Sequence, residues 1–229
     1  MRALALQRRK FNADVVKATR EALLSSPLLD RSPLYGTFRA TRGFAAIFRR
    51  DGVETLKSRL PELTPFIDCV LSDDEANRLV PWLSRPFLRA PPTNAYYLNV
   101  LAVPPGAEVA RHVDATLRTP SGDPTAIPTR VSVLYLVVPK AMRGGELRLH
   151  EGSRKVADVR PREGTLVHFR GDLAHEVLPF TSDDPSALRL SVVCEQYALS
   201  EGALERLDPF RLQSKAPFDA YVRDHQRRA

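Results

Sequence analysis

From Tyr96 to Tyr197 the chain consists of short alternating apolar segments separated by Pro, Gly and charged loops, a texture no bundle of helices can satisfy. The clearest strand candidates are 96–103, 130–138, 145–150, 155–159, 164–169 and 188–197. Short strands at this spacing bury their apolar faces by folding into an antiparallel sandwich or barrel.

The first half reads differently. Charged residues alternate with Leu, Phe and Val at helical spacing from about 5 to 25, with Phe11, Val15 and Leu23 as the face that packs on a core. A second helix is expected over 53–59, stopping at Pro61. A third starts at Ser72 as N-cap, with Glu75 as its capping-box partner, and runs to Val80 ahead of Pro81. Helix is expected again over 217–224. The expectation is an α+β fold in one domain: a mainly helical part over 1–95 packed on the outside of a jelly roll over 96–199, then a helical tail over 200–229.

Apolar residues make up 43% of the 229 and charged residues 27%, ordinary globular values that exclude a mainly disordered chain. No apolar run reaches the length of a membrane span, and the start turns basic where a secretory signal would carry its apolar centre, so a cytosolic protein is expected. Cys69 and Cys194 are too few for a disulfide framework and read as buried thiols. The net charge of +7 concentrates near the ends, at Arg2, Arg8, Arg9, Lys10, Lys17 and Arg20 and at Arg223, Arg227 and Arg228. Without interleaved aromatics or a nucleic-acid motif, these are read as solvated faces.

His112 and Asp114 stand two apart after an apolar strand and a Pro-Pro-Gly turn. In extended backbone that spacing puts both on one face, where they can offer an imidazole nitrogen and a carboxylate oxygen to one ion. His175 follows the strand at 164–169 and can be brought back beside them. Two histidines and one carboxylate, with open positions opposite, form the facial triad of non-haem iron(II) oxygenases. Either fragment alone would read as chance or as a hydrogen-bonded core histidine. Of the other histidines, His150 falls on an exposed polar face, His168 is left in or out of the pocket, and His225 lies in the charged tail.

In the strand at 188–197, alternation puts Arg189, Ser191 and Val193 on one face and Leu190, Val192 and Cys194 on the other. A buried guanidinium needs a partner, and its planar fork suits a carboxylate, with Ser191 adding a hydroxyl. The alternatives are an internal salt bridge, to Glu195 or another acid, and an outward-facing edge arginine. Tyr135, on a face with Val131, Val133 and Val137, can donate to the same carboxylate or be plain core.

Six fragments in order then form a pattern: His112-x-Asp114; Thr129-Arg130-Val131-Ser132-Val133-Leu134-Tyr135-Leu136; Gly144-Gly145-Glu146-Leu147; Pro161-Arg162-Glu163-Gly164-Thr165-Leu166-Val167-His168-Phe169; His175-Glu176-Val177-Leu178-Pro179; and Arg189-Leu190-Ser191. The series resembles the prolyl-4-hydroxylase-like branch of the 2-oxoglutarate and Fe(II) oxygenases, over a little under half the chain. The resemblance implies a double-stranded β-helix (a cupin-like jelly roll), with His112, Asp114 and His175 on Fe(II). It implies 2-oxoglutarate chelating the metal, its distal carboxylate on Arg189 and Tyr135. It also implies use of O2, with release of succinate and CO2 as a C–H bond is hydroxylated. The loop 180–187 is longer than the family's usual turn.

One fold serves many substrates. The substrate expected is an amino-acid-like small molecule or a peptidyl side chain, contacted by Asn99, Arg130 and Arg111 and covered by the loop 115–129. Arg130 and the overall positive charge favour an anionic group on it. A nucleic-acid demethylase of the same superfamily is the minor alternative, because no second arginine follows Arg189 in that branch's pattern. A non-catalytic metal-binding jelly roll is the other, set against it by the openness of a three-ligand site.

Overall fold

The computed structural model describes residues 1–30, 41–85, 87–117 and 127–215. The chain opens with β1 (Leu4–Arg8), α1 (Ala13–Leu24), β2 (Arg42–Arg49), α2 (Val53–Arg59), α3 (Thr64–Val70) and α4 (Asp73–Ala76). The second half supplies β3 (Ala95–Val103), β4 (Val109–His112), β5 (Arg130–Val137), β6 (Arg143–Gly144), β7 (Leu147–Glu151), β8 (Arg154–Val159) and β9 (Thr165–Arg170). It ends with β10 (Ala174–Val177), β11 (Phe180–Thr181), β12 (Arg189–Tyr197), α5 (Glu201–Leu204) and β13 (Phe210–Gln213).

Seven strands form the major sheet, in the order β1-β9-β5-β12-β3-β2-β13, and four form the minor sheet, β4-β10-β7-β8. Val131, Val133, Tyr135, Val167 and Phe169 of the major sheet meet Leu147, Leu149 and Val159 of the minor sheet in one apolar cluster. The opposite face of the major sheet, including Leu98, Val100, Leu134, Leu136, Leu190 and Val192, packs on Leu23 of α1, Leu56 of α2 and Phe66, Ile67 and Val70 of α3. This is the expected jelly roll with helices on its outside. Cys194 is buried, whereas Cys69 is only partly so.

The N-terminal half departs from the helical expectation in two places. Leu4–Arg8 is a strand rather than the first turns of a helix, pairing Leu4 with Phe169 and Arg8 with Thr165 on the edge of β9. Arg9, at φ 57°, then breaks the extended chain. Asn12 restarts it as the N-cap of α1, its side chain accepting from the Val15 amide at 2.8 Å. Val16 rather than Val15 is buried in that helix, together with Thr19 and the expected Leu23. The other place is β2, which pairs with β3 from Arg42↔Ala102 to Arg49↔Ala95. Its residues Phe44, Ala46 and Phe48 join the helix-side core while Ala45 and Ile47 face the other way, so burial on both faces erases the period-two signal. β13 extends the same sheet, pairing Phe210 with Phe48, where a helical tail is expected. The expected helix over 217–224 and His225 lie outside the described residues.

Ser72 caps α4 as expected, but the helix ends at Ala76 and Glu75 does not close a capping box. The Glu75 carboxylate is fully buried and turns inward to His168 (3.0 Å), Lys10 (2.8 Å) and Arg78 (3.3 Å). These partners outweigh burial, which by itself would raise its pKa, and hold it well below the usual carboxylate range.

Candidate active site

β10 lies antiparallel to β4 with His175 opposite His112, which sets the two imidazoles side by side, ring centroids 4.4 Å apart. Asp114, just past the end of β4, closes the group: Oδ1 is 3.3 Å from His112 Nε2 and Oδ2 is 3.6 Å from His175 Nε2. One ligand atom from each of the three lies within 4.8 Å of the others. Asp114 and His175 are buried and His112 is half-buried.

Backbone carbonyls set the ring orientations. Nδ1 of His112 donates to Ala110 O at 2.8 Å, and Nδ1 of His175 donates to Leu173 O at 3.2 Å, so both Nε2 atoms turn toward Asp114. Such bonds fix tautomer and ring plane before a metal arrives. Burial lowers the pKa of His175. At His112 burial is outweighed by the bonds to Asp114 and Ala110, and its pKa is raised. Two imidazoles and one carboxylate on one side of a cavity fit a first-row divalent metal and leave coordination positions open toward that cavity.

The cavity between the sheets has a volume of about 70 Å³ and is walled by Leu101, Val133, Leu147, Phe169 and Val177 among others, with the triad on one side. β12 runs along it, presenting Arg189, Ser191, Val193 and Glu195 in turn. Arg189 is 2% exposed. Its Nη1 donates to Gly145 O at 2.8 Å, its Nε has no partner, and no carboxylate pairs with it among the described residues. Its guanidinium carbon lies 5.9 Å from the centre of the Tyr135 ring. Burial lowers the Arg189 pKa, only partly offset by Tyr135. A buried cation this poorly compensated is costly until an anion joins it. Of the readings open at Arg189, burial excludes the outward-facing arginine, and no internal salt bridge to it forms among the described residues. Gly144 (φ 86°) and Gly145 (φ 76°) let the chain turn so that the Gly145 carbonyl reaches it.

Asn99 lines the cavity as expected, with its Oδ1 buried and unpartnered. The two expected substrate arginines do not. Arg130 has the opposite parity on β5 from Val131 and Tyr135, so it points to the helix layer. There its Nη1 donates to Glu75 O, and its Nη2 to Val70 O at 3.0 Å and to Gln196 Oε1 at 2.5 Å. Arg111 alternates with His112 on β4, is exposed, and donates to the Gly152 carbonyl. His168 lies on the helix side too, fully buried between Glu75 and Ser132 and outside the cavity. His150 is 8% exposed and bonds Glu176 of the neighbouring strand β10 at 3.0 Å, instead of meeting solvent as expected. Of the loop 115–129, residues 118–126 lie outside the described set.

Glu195 is the site residue that motif reasoning missed, having been considered only as a partner for Arg189. It is buried in the cavity wall, with Oε1 accepting from Thr116 Oγ1 at 3.0 Å and Oε2 from the Tyr197 hydroxyl. Burial and the nearby charge of Asp114 push its pKa up. Alternation along β12 already placed it on the face of Arg189 and Ser191.

Residues 97–194 match the family model for the 2OG-Fe(II) oxygenase superfamily. Among solved structures, a Pseudomonas putida prolyl-4-hydroxylase is similar at 21% identity and TM-score 0.54, covering 87% of this chain and 95% of that one. A Trichoplax adhaerens prolyl hydroxylase, in complex with a peptide fragment of the oxygen degradation domain of hypoxia inducible factor, is similar at 16% identity and TM-score 0.58, covering 91% and 88%. The α-ketoglutarate-dependent carbocyclase SnoK of nogalamycin biosynthesis is similar at 17% identity and TM-score 0.60, covering 93% and 92%. At these identities the likeness is one of fold. No curated protein sequence matches the chain.

Proposed function

We propose that this chain, whose residues 97–194 match the family model for the 2OG-Fe(II) oxygenase superfamily, is a 2-oxoglutarate-dependent dioxygenase in which His112, Asp114 and His175 hold the iron. On this reading Arg189 holds the distal carboxylate of 2-oxoglutarate, with Ser191 and Tyr135 beside it, and the substrate is an amino-acid-like small molecule or a peptidyl side chain. The observation that carries the assignment is Arg189: a buried guanidinium with no carboxylate partner among the described residues, in the same cavity as a three-ligand metal cluster.

Iron, 2-oxoglutarate and O2 together supply the oxidising power for hydroxylation of an unactivated C–H bond, with release of succinate and CO2. The protein binds and orients. Leu173 O and Ala110 O hold the imidazoles in the ligating tautomer. Gly145 O steadies the guanidinium for a bidentate carboxylate. The aliphatic walls keep water from the reacting centre. A peptidyl substrate is supported by the Trichoplax adhaerens protein's peptide complex, and a small-molecule substrate by the carbocyclase.

Anaerobic titration of the metal-free protein with Fe(II) and 2-oxoglutarate tests the reading. A visible metal-to-ligand charge-transfer band is expected only when both are present, and its loss in His175→Ala. Metal binding without the band would replace this reading with that of a metal site of another kind.

A further inference from the structure

At one end of the cavity Glu195 and Asn99, with Tyr97 next along the same strand face, have no part in the proposed metal and 2-oxoglutarate sites. Glu195 is 5% exposed, and no cation pairs with it among the described residues. Its carboxylate does not join the cluster of metal-ligating atoms. Asn99 Oδ1 and the Tyr97 hydroxyl are buried and unpartnered. The register places them together: Glu195 pairs with Tyr97 and Val193 with Asn99 across β12 and β3, so Asn99 is the diagonal neighbour of Glu195 on the same face. Diagonal neighbours stand about 7–8 Å apart at Cα, a gap one small group with several donors can bridge.

The position along β12 says which reactant this end meets. Glu195 and Arg189 are six residues apart on one straight face, about 20 Å of strand at 3.2–3.4 Å per residue. Thr116, two residues past Asp114, donates to the Glu195 carboxylate at 3.0 Å, which puts the triad toward the Glu195 end. Arg189 and the triad thus bound the space for 2-oxoglutarate, and Glu195 with Asn99 lies beyond the metal. An acidic end also reverses the expectation of an anionic substrate, since Arg130, its main support, faces the other side of the sheet.

We propose that Glu195 and Asn99 form a cation-recognition subsite that selects a primary substrate bearing an ammonium group. The ammonium donates to the Glu195 carboxylate and to Asn99 Oδ1, and its carbon chain lies against the apolar wall next to the metal. Three N–H donors and a positive charge match two acceptors, and a cation beside Glu195 favours its ionised form against the burial and the Asp114 charge that oppose it. Thr116 and Tyr197 already hold both carboxylate oxygens in place, so little ordering accompanies binding. The inference rests on the oxygenase reading for which end of the cavity faces the primary substrate.

The test uses two probes of equal shape, n-pentylammonium and n-pentanol, followed by saturation-transfer NMR on the full chain with Zn(II), which permits no turnover, with and without 2-oxoglutarate. The ammonium is expected to bind about 10- to 100-fold more tightly than the alcohol, the worth of a charge-assisted hydrogen bond. Glu195→Gln keeps the volume but not the charge, with one hydroxyl neighbour turning to accept from the new amide, and is expected to abolish that preference while pentanol binding stays unchanged. Asn99→Leu, which leaves the Thr116–Glu195–Tyr197 bonds intact, is expected to weaken the ammonium several-fold and serves if the first variant does not fold. Equal binding of the two probes by the parent, binding of neither, or an equal loss of both in Glu195→Gln would overturn the proposal; the last would leave Glu195 as a brace for the Thr116 segment. Titration of 2-oxoglutarate into the same zinc protein is read separately, and its failure would count against the co-substrate assignment at Arg189.

Discussion

Arg189 carries an energetic debt that only an incoming anion removes, so its truncation should act on 2-oxoglutarate and hardly on metal. Arg189→Ala is expected to weaken 2-oxoglutarate by about 10- to 100-fold, from the 1.5–3 kcal/mol of a charged hydrogen bond, and to leave Zn(II) affinity unchanged. Calorimetric titration of each ligand into parent and variant checks this; an unchanged 2-oxoglutarate affinity would remove Arg189 from the site. At this scale the metal cluster was legible because histidine and carboxylate at i, i+2 carry their chemistry in their residue type. Arg130, Arg111 and Glu195 were misassigned or overlooked for a single reason: parity along a strand decides which way a side chain faces, and residue type does not. Counting by twos from Tyr135 sends Arg130 away from the cavity, from His112 it sends Arg111 away, and from Arg189 it brings Glu195 in. Against a salt bridge between Glu195 and Arg189, distance along the strand was already decisive.

Among the elements, the short β6–β7 connection does the finest work. Gly144 and Gly145 both have positive φ, and a Cβ on Gly144 would sit 2.5 Å from Pro179 O, next to the pairing of β6 with β11. Gly144→Ala is expected to destabilise the fold by about 1–3 kcal/mol. It should also weaken 2-oxoglutarate binding, because the neighbouring Gly145 carbonyl holds Arg189. Urea unfolding with an unchanged m-value, read beside 2-oxoglutarate titration, separates the two effects; a variant as stable as the parent would show that the turn tolerates a side chain. The six strands of the second half that alternate cleanly were legible from the sequence. β1 and β2 were not: β1 is too short and borders a helix, and β2 is apolar on both faces. Their partners, β9 and β3, lie far along the chain, where no local pattern can announce them.

Across the whole molecule, the helical layer is tied to the major sheet by one buried polar knot. Glu75 receives Gln7 of β1 and His168 of β9, and its backbone carbonyl receives Arg130 of β5. The lowered pKa of Glu75 means folding favours its ionised form, a contribution complete above the ordinary value of 4.5 and lost as pH falls through the lower folded value. His168 is lowered chiefly by burial, so folding favours the neutral ring, a contribution present above 6.5 and lost as pH falls below it. Both slopes run the same way: stability should fall between pH 7 and pH 4, beginning near 6.5. Urea midpoints across that range check this for the parent, and His168→Gln should flatten the upper part of the slope. An identical slope in the variant would assign the acid sensitivity elsewhere. No helix among the described residues is long and apolar enough to cross a membrane.

The order of the major sheet separates two kinds of work along the chain. Residues 97–194 contain the triad and Arg189, stop one residue short of Glu195, and provide β9 and β5 with most of β12 and β3. Taken alone, those strands would leave β9 and β3 as bare edges, rows of unmet amides and carbonyls that invite another copy of the chain to add itself. β1 occupies one edge, and β2 followed by β13 occupies the other. The flanking segments thus add no residue to the His112–Asp114–His175 group, yet they pair the backbone of β9 and β3 and move the open edges of the sheet away from the strands that carry the site.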